Sequence, residues 1–206
     1  MAERTVITNY AELSQRLGRV PFLPVVRTAD GEEALAAAHA LVDVLGGGID
    51  VIEITATIPN WAYVVERLRA ELPALSVGVG TVLDAGTAQT AVAAGAGFLV
   101  SPGTFPAVVA AAKAASVPAI PGVLTPTELF SAPHHGLVKL FPASLGGIEY
   151  LRALLALKPE AAVIPTGGVT LAAAASWREA GALTVGIGVK SAAQAAAMLQ
   201  VAGTAR

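Results

Sequence analysis

Residues Asp50–Val79 read DVIEITATIPNWAYVVERLRAELPALSVGV: an apolar, β-branched run at Asp50–Thr55, a helical stretch, then a second apolar run at Ser76–Val79. Two such runs joined by a helix form a βαβ unit, which closes right-handedly onto a parallel sheet. The runs lack polar alternation, as expected of strands buried on both faces. The same rhythm extends outward in both directions. Further runs fall at Val20–Val26, Phe98–Ser101, Val117–Ile120, Leu137–Phe141, Ala162–Pro165 and Leu183–Ile187, their starts roughly 20 to 30 residues apart. Helical, often Ala-rich stretches such as Glu32–Leu45 and Ala107–Ala115 fill the gaps, and Ala is the best helix former. Eight units predict an α/β fold, a (β/α)₈ barrel, with an additional N-terminal helix at Tyr10–Leu17 across its bottom. A doubly wound open sheet is the rival on strand count alone. With no linker or low-complexity segment, residues 1–206 read as a single barrel domain.

Composition narrows the function classes. The 206 residues are 54% hydrophobic and 14% charged, outside the regime of disorder. A formal net charge of −2 with scattered Lys and Arg gives no basic footprint for nucleic acid. There is no Cys, hence no disulfide framework and no thiolate nucleophile or metal ligand. The start, Met1-Ala2-Glu3-Arg4-Thr5-Val6, lacks the basic-then-apolar order of a signal peptide, and no apolar run reaches the ~18 residues of a membrane span. A cytoplasmic protein with no membrane partner is the expectation.

Barrel chemistry belongs at the C-terminal ends of strands, and polar residues recur there. They are Arg27, Glu53 with Thr55 and Thr57, Thr81, Ser101-Pro102-Gly103, Pro121 to Thr125, Lys139, Thr166-Gly167-Gly168 and Gly186-Ile187-Gly188. Lys139, in Leu137-Val138-Lys139-Leu140-Phe141-Pro142, is a cation in an apolar strand. An apolar setting disfavours an ammonium and favours the free amine that adds to a carbonyl. A lysine snorkelling from a strand end to solvent is the plainer reading. Glu53, in Val51-Ile52-Glu53-Ile54-Thr55, is a carboxylate among β-branched residues. In a dry lumen it becomes a proton-transfer group; a structural ion pair is the alternative. Gly167-Gly168 and Gly186-Gly188 let backbone amides approach an anion, and barrels often hold phosphate at strands seven and eight, although Gly is also routine in tight turns. His39, Trp61 and Trp177 read as structural, and His134 and His135 lack partners at metal-ligand spacing.

Six motifs in order then carry a resemblance. Ile52-Glu53-Ile54-Thr55, Gly78-Val79-Gly80-Thr81-Val82, Ser101-Pro102-Gly103, Pro121 to Glu128, Lys139-Leu140-Phe141-Pro142 and Pro165-Thr166-Gly167-Gly168-Val169 span most of the chain. Together they resemble the 2-keto-3-deoxy-6-phosphogluconate (KDPG) and 2-keto-4-hydroxyglutarate (KHG) aldolases. The resemblance implies a class I aldolase, usually a homotrimer, needing no metal or cofactor. Its substrate would be a 2-keto-3-deoxy sugar acid, cleaved to pyruvate and an aldehyde. It implies Lys139 as the Schiff-base lysine and Glu53 as the general acid/base. It also implies substrate contacts from Arg27, Thr81, Pro102, Phe141, Thr166, Gly167, Gly168 and Gly188. Two positions depart from the family pattern. Thr57 stands where many members carry Arg, and Val189 where many carry a phosphate-binding Ser. KHG or 2-keto-3-deoxy-6-phosphogalactonate cleavage is the alternative activity. An isomerase, epimerase or thiamine-phosphate-synthase-like barrel, or a non-catalytic oligomeric scaffold, is the more distant one.

Overall fold

The computed structural model describes residues 9–20, 22–44, 49–132 and 136–203. His134, His135 and the Gly46-Gly47-Gly48 run lie outside the described residues. Among the described residues, nine strand segments are separated by helices except between the fifth and sixth: β1 Leu23–Val26, β2 Val51–Thr55, β3 Ser76–Gly80, β4 Phe98–Val100, β5 Ala119–Ile120, β6 Gly122–Val123, β7 Leu137–Leu140, β8 Ala162–Pro165 and β9 Gly186–Val189. Every pairing is parallel. One sheet runs β5-β4-β3-β2-β1-β9 and the other β6-β7-β8.

Two seams join these sheets into a ring. At one, β5 and β6 are halves of a single barrel strand broken at Pro121, whose carbonyl still accepts the Lys139 amide at 2.9 Å. At the other, Thr166 bridges Gly186, and the Leu183 amide donates to the Val163 carbonyl at 2.9 Å. The result is an eight-stranded closed barrel, and the open-sheet rival is excluded by that closure. Three strand expectations need correction. The fifth continues past Ile120 to Val123, because Pro lacks a donor yet keeps its acceptor. The eighth lies at Gly186–Val189 rather than Leu183–Ile187, so Gly186 opens it instead of ending it. The first begins at Leu23, not Val20.

Strand periodicity sorts side chains between two cores. Leu23, Val51, Phe98, Val100, Ile120, Leu137 and Ile164 fill the lumen with Leu13 and Leu17 of helix α1, Tyr10–Arg19. Ile52, Ile54, Val77, Val79, Leu99, Val138, Leu140, Val163, Ile187 and Val189 face the outer helices. Helix α1 is thus the expected plug. Asn9 Oδ1 caps it by accepting the Glu12 amide at 2.9 Å. Arg178 anchors its far end, donating to the carbonyls of Gly18 and Val20 at 2.9 and 2.6 Å. The outer ring comprises α2 Gly31–Val44, α3 Trp61–Glu71, α4 Ala85–Ala94, α5 Pro106–Ala114, α6 Pro126–Ser131, α7 Gly147–Leu157, α8 Ala174–Glu179 and α9 Ala192–Gly203. Small side chains allow close approach: Ala88, Ala91 and Ala94 of α4 are buried. Among the described residues no helix is long and apolar enough to cross a membrane.

Candidate active site

Alternation places Glu53 and Lys139 on the lumen face, each two residues above a core residue, Val51 and Leu137. Their strands, β2 and β7, stand second and sixth around the eight-stranded ring, so the two side chains reach toward each other across its diameter. Lys139 Nζ lies 3.6 Å from Glu53 Oε1, and the side chains are only 6% and 1% exposed. The lysine therefore does not snorkel. Glu53 Oε1 has no hydrogen-bond partner. An ion pair this dry is a poor stabilising device, because apolar residues of similar volume often serve stability as well or better.

Two neighbours shape the pair. The Phe141 ring centroid is 5.4 Å from Lys139 Nζ, presenting an aromatic face to the amine. Gly80 is the second, and it went unassigned within its quoted motif. A Cβ at Gly80 would overlap the Glu53 carboxyl group, so the carboxylate occupies space that only glycine leaves. Glycine inside a strand is the signal of such close approach.

Around the mouth, the Arg27 guanidinium donates to Thr81 Oγ1 at 3.1 Å from an exposed position. Thr81 has φ +62°, a left-handed backbone that is uncommon for a β-branched residue and costs on the order of 1–3 kcal/mol. Arg27 and Thr81, distant in sequence, are thus brought together. Thr57 joins a hydroxyl chain instead of supplying a cation: its Oγ1 is 3.0 Å from Thr55 Oγ1, which donates to the Val26 carbonyl at 3.1 Å. Pro102 packs its backbone against Gly122, where a Cβ would collide with it.

Thr166 faces the lumen beside Gly186 and is buried. Gly167 and Gly168 follow with φ of +87° and +79°. Their turn does not open directly into a helix: a short 3₁₀ turn, Leu171–Ala173, intervenes before α8 at Ala174, so the helix N-terminus stands away from the glycines. Gly188 shares the lumen face of β9 with Gly186, and a Cβ there would meet nothing within 4 Å. Val189 points the other way and is fully buried in the outer core. Lys190 follows β9 with an exposed side chain. Trp177 is buried and Trp61 half-buried against the core, as packing residues; His39 pairs with Glu71 on the surface at 2.8 Å.

Fold and site together define a (β/α)₈ barrel that opposes an amine and a carboxyl group across its lumen. The family described as "Aldolase: KDPG and KHG aldolase" matches residues 13–201. The 2-dehydro-3-deoxy-phosphogluconate aldolase of Treponema pallidum is 41% identical over 162 residues, covering 76% of this chain and 75% of the relative. The 2-dehydro-3-deoxy-6-phosphogalactonate aldolase of Escherichia coli is 32% identical, covering 82% and 83%. The solved KDPG aldolase of Legionella pneumophila, with pyruvate captured as a covalent carbinolamine, aligns with TM-score 0.77 at 31% identity, covering 91% of this chain and 95% of that one. The chain belongs to the KDPG and KHG aldolase family, and as an aldolase it is a lyase.

Proposed function

We propose that Lys139 forms a Schiff base with a 2-keto-3-deoxy sugar acid, 2-keto-3-deoxy-6-phosphogluconate foremost, and that Glu53 moves the protons of its cleavage. The observation that carries this reading is the buried Lys139–Glu53 contact at 3.6 Å across the lumen. The neutral Lys139 amine adds to C2, and loss of water from the carbinolamine gives a protonated imine. Glu53, through a water, takes the C4 hydroxyl proton as the C3–C4 bond breaks. The bonding electrons flow into the iminium, the aldehyde departs, and the enamine of pyruvate remains. Protonation at C3 and hydrolysis release pyruvate and the free lysine. Arg27 and Thr81 hold the substrate carboxylate with Thr166, Pro102 and Phe141 wall the pyruvyl end, and Gly167, Gly168 and Gly188 receive the distal end.

Incubation with pyruvate and borohydride, followed by peptide mass spectrometry, tests this. A reduced adduct on Lys139 is expected; an unmodified Lys139 with no retro-aldol activity overturns the reading. Thr57 and Val189 favour a second reading, in which phosphate is held less firmly and the unphosphorylated KHG is used; the 6-phosphogalactonate isomer, which keeps the phosphate, is the stereochemical alternative. Comparing kcat/KM among the three substrates separates them. The reading extends to one barrel domain over residues 1–206 acting as a cytoplasmic homotrimer without cofactor or metal. Sedimentation velocity checks the trimer.

A further inference from the structure

We propose that Ser144, in the 3₁₀ turn Ala143–Leu145 after β7, reads the distal phosphoryl group of the substrate, supplying a hydroxyl that β9 does not. This rests on the function proposed above. Two backbone bonds lace the turn to the glycines after β8: the Ala143 amide donates to the Thr166 carbonyl at 2.8 Å, and the Ser144 amide to the Gly167 carbonyl at 3.0 Å. Ser144 consequently rests its side chain on Gly168. A Cβ built there would lie 2.5 Å from Ser144 Cβ and 2.9 Å from its Oγ. The left-handed φ of Gly167 and Gly168 and the seat of Ser144 on the second glycine therefore specify one local surface. A side chain at Gly168 would be strained and would displace Ser144, and the hydroxyl standing over it belongs to a different strand's loop.

Nothing else occupies that hydroxyl: among the described residues Ser144 Oγ makes no hydrogen bond, and the residue is exposed. The other two positions that might serve are committed elsewhere. Thr166 Oγ1 turns back to the Ile164 carbonyl at 3.4 Å and packs on Gly186. Val189 is apolar and its side chain is enclosed by the outer core. The Thr166–Gly186 bridge sets the glycine turn beside the β9 strand of Gly188, and a Cβ at Gly188 would meet nothing within 4 Å, so that end of the seam is open. A phosphoryl oxygen entering it would meet the Ser144 hydroxyl as donor, and a hydroxyl bond to an ionised oxygen is among the stronger kinds.

The experiment measures kcat/KM for 2-keto-3-deoxy-6-phosphogluconate and for the unphosphorylated acid, in the unaltered enzyme, Ser144→Ala and Ser144→Thr. The expected result is a roughly tenfold fall in the phosphorylated-to-unphosphorylated ratio in Ser144→Ala, carried mainly by KM, as for one hydrogen bond to a charged group. Ser144→Thr, which keeps the hydroxyl, recovers most of the ratio. A ratio unchanged by Ser144→Ala, or not recovered by Ser144→Thr, overturns the proposal. Borohydride trapping of pyruvate runs beside it. Lys139 adducts in all three proteins with an unchanged ratio overturn the Ser144 role alone; no adduct in the unaltered protein overturns it together with the aldolase reading.

Discussion

Removing Lys139 and removing Glu53 leave different things behind. Lys139→Met strands the carboxyl group of Glu53 in a site where it is 1% exposed, so the variant should lose cleavage and pyruvate adduct and also about 3–5 kcal/mol of stability. Adding Glu53→Leu should restore much of that stability and none of the activity, which urea unfolding and a pyruvate-release assay check. Glu53→Gln keeps the volume and the amine. It should still form the borohydride adduct while kcat falls by about 10² to 10⁴. Gly80→Ala belongs to the same scale: its Cβ would intrude on the Glu53 carboxylate, so kcat should fall while far-UV circular dichroism stays native. An unchanged kcat would mean that the carboxylate tolerates displacement. Lys139 and Glu53 were legible in the sequence because each interrupts an apolar strand with a charge that is costly to bury. Gly80 was not, because a glycine records room without saying what fills it. Nor was the Arg27–Thr81 bond, which needs the register of strands that are not adjacent in the ring.

Among the elements, α6 shows how local chemistry sets a boundary. Thr125 and Glu128 form a reciprocal capping box, with Pro126 in the first turn. Glu128 Oε2 accepts the amides of Leu124 and Thr125 at 2.8 and 2.7 Å. These backbone donors, Leu124 foremost, hold the Glu128 carboxyl below its ordinary 4.5. A depressed folded-state value means stability that is present above the unfolded value and lost as pH falls through the folded one. Glu128→Gln should therefore flatten part of the decline in stability between about pH 5 and pH 3, read from urea midpoints across that range. Thr125→Ala should cost about 1 kcal/mol at neutral pH. Strand boundaries were read less well than strand existence, for reasons that lie in the ladder. Pro121 looks like a stop, yet its carbonyl carries the pairing to β7. Leu183, Thr184 and Val185 look like strand, and the Val185 carbonyl does accept the Leu23 amide at 2.8 Å, but regular pairing starts only at Gly186. A β-branched run announces extended backbone and does not say where a neighbour's register begins.

At the scale of the whole molecule, the barrel depends on its plug. Leu13 and Leu17 are fully buried and complete the lumen core beneath Glu53 and Lys139. Leu13→Ala or Leu17→Ala should each cost about 2–5 kcal/mol, measured by chemical unfolding. Arg178→Ala, which frees the last turn of α1 from its two bonds to Gly18 and Val20, should destabilise in the same direction. The eightfold rhythm in the sequence pointed to a ring but left an open sheet as its rival. The two seams that close it, at Pro121 and at Thr166–Gly186, became visible only once the strands had neighbours.

On the proposed mechanism, the placement of Glu53 on β2 and Lys139 on β7 has a consequence for how activity is acquired. One half of the chain, through β4, contains Glu53 and the plug; the other half, from β5 onward, contains Lys139 and the glycine turn. Neither semicircle holds a working site, however well it folds by itself. The distance between the two groups is a property of the circumference, and catalysis is available only to a molecule in which both halves have docked.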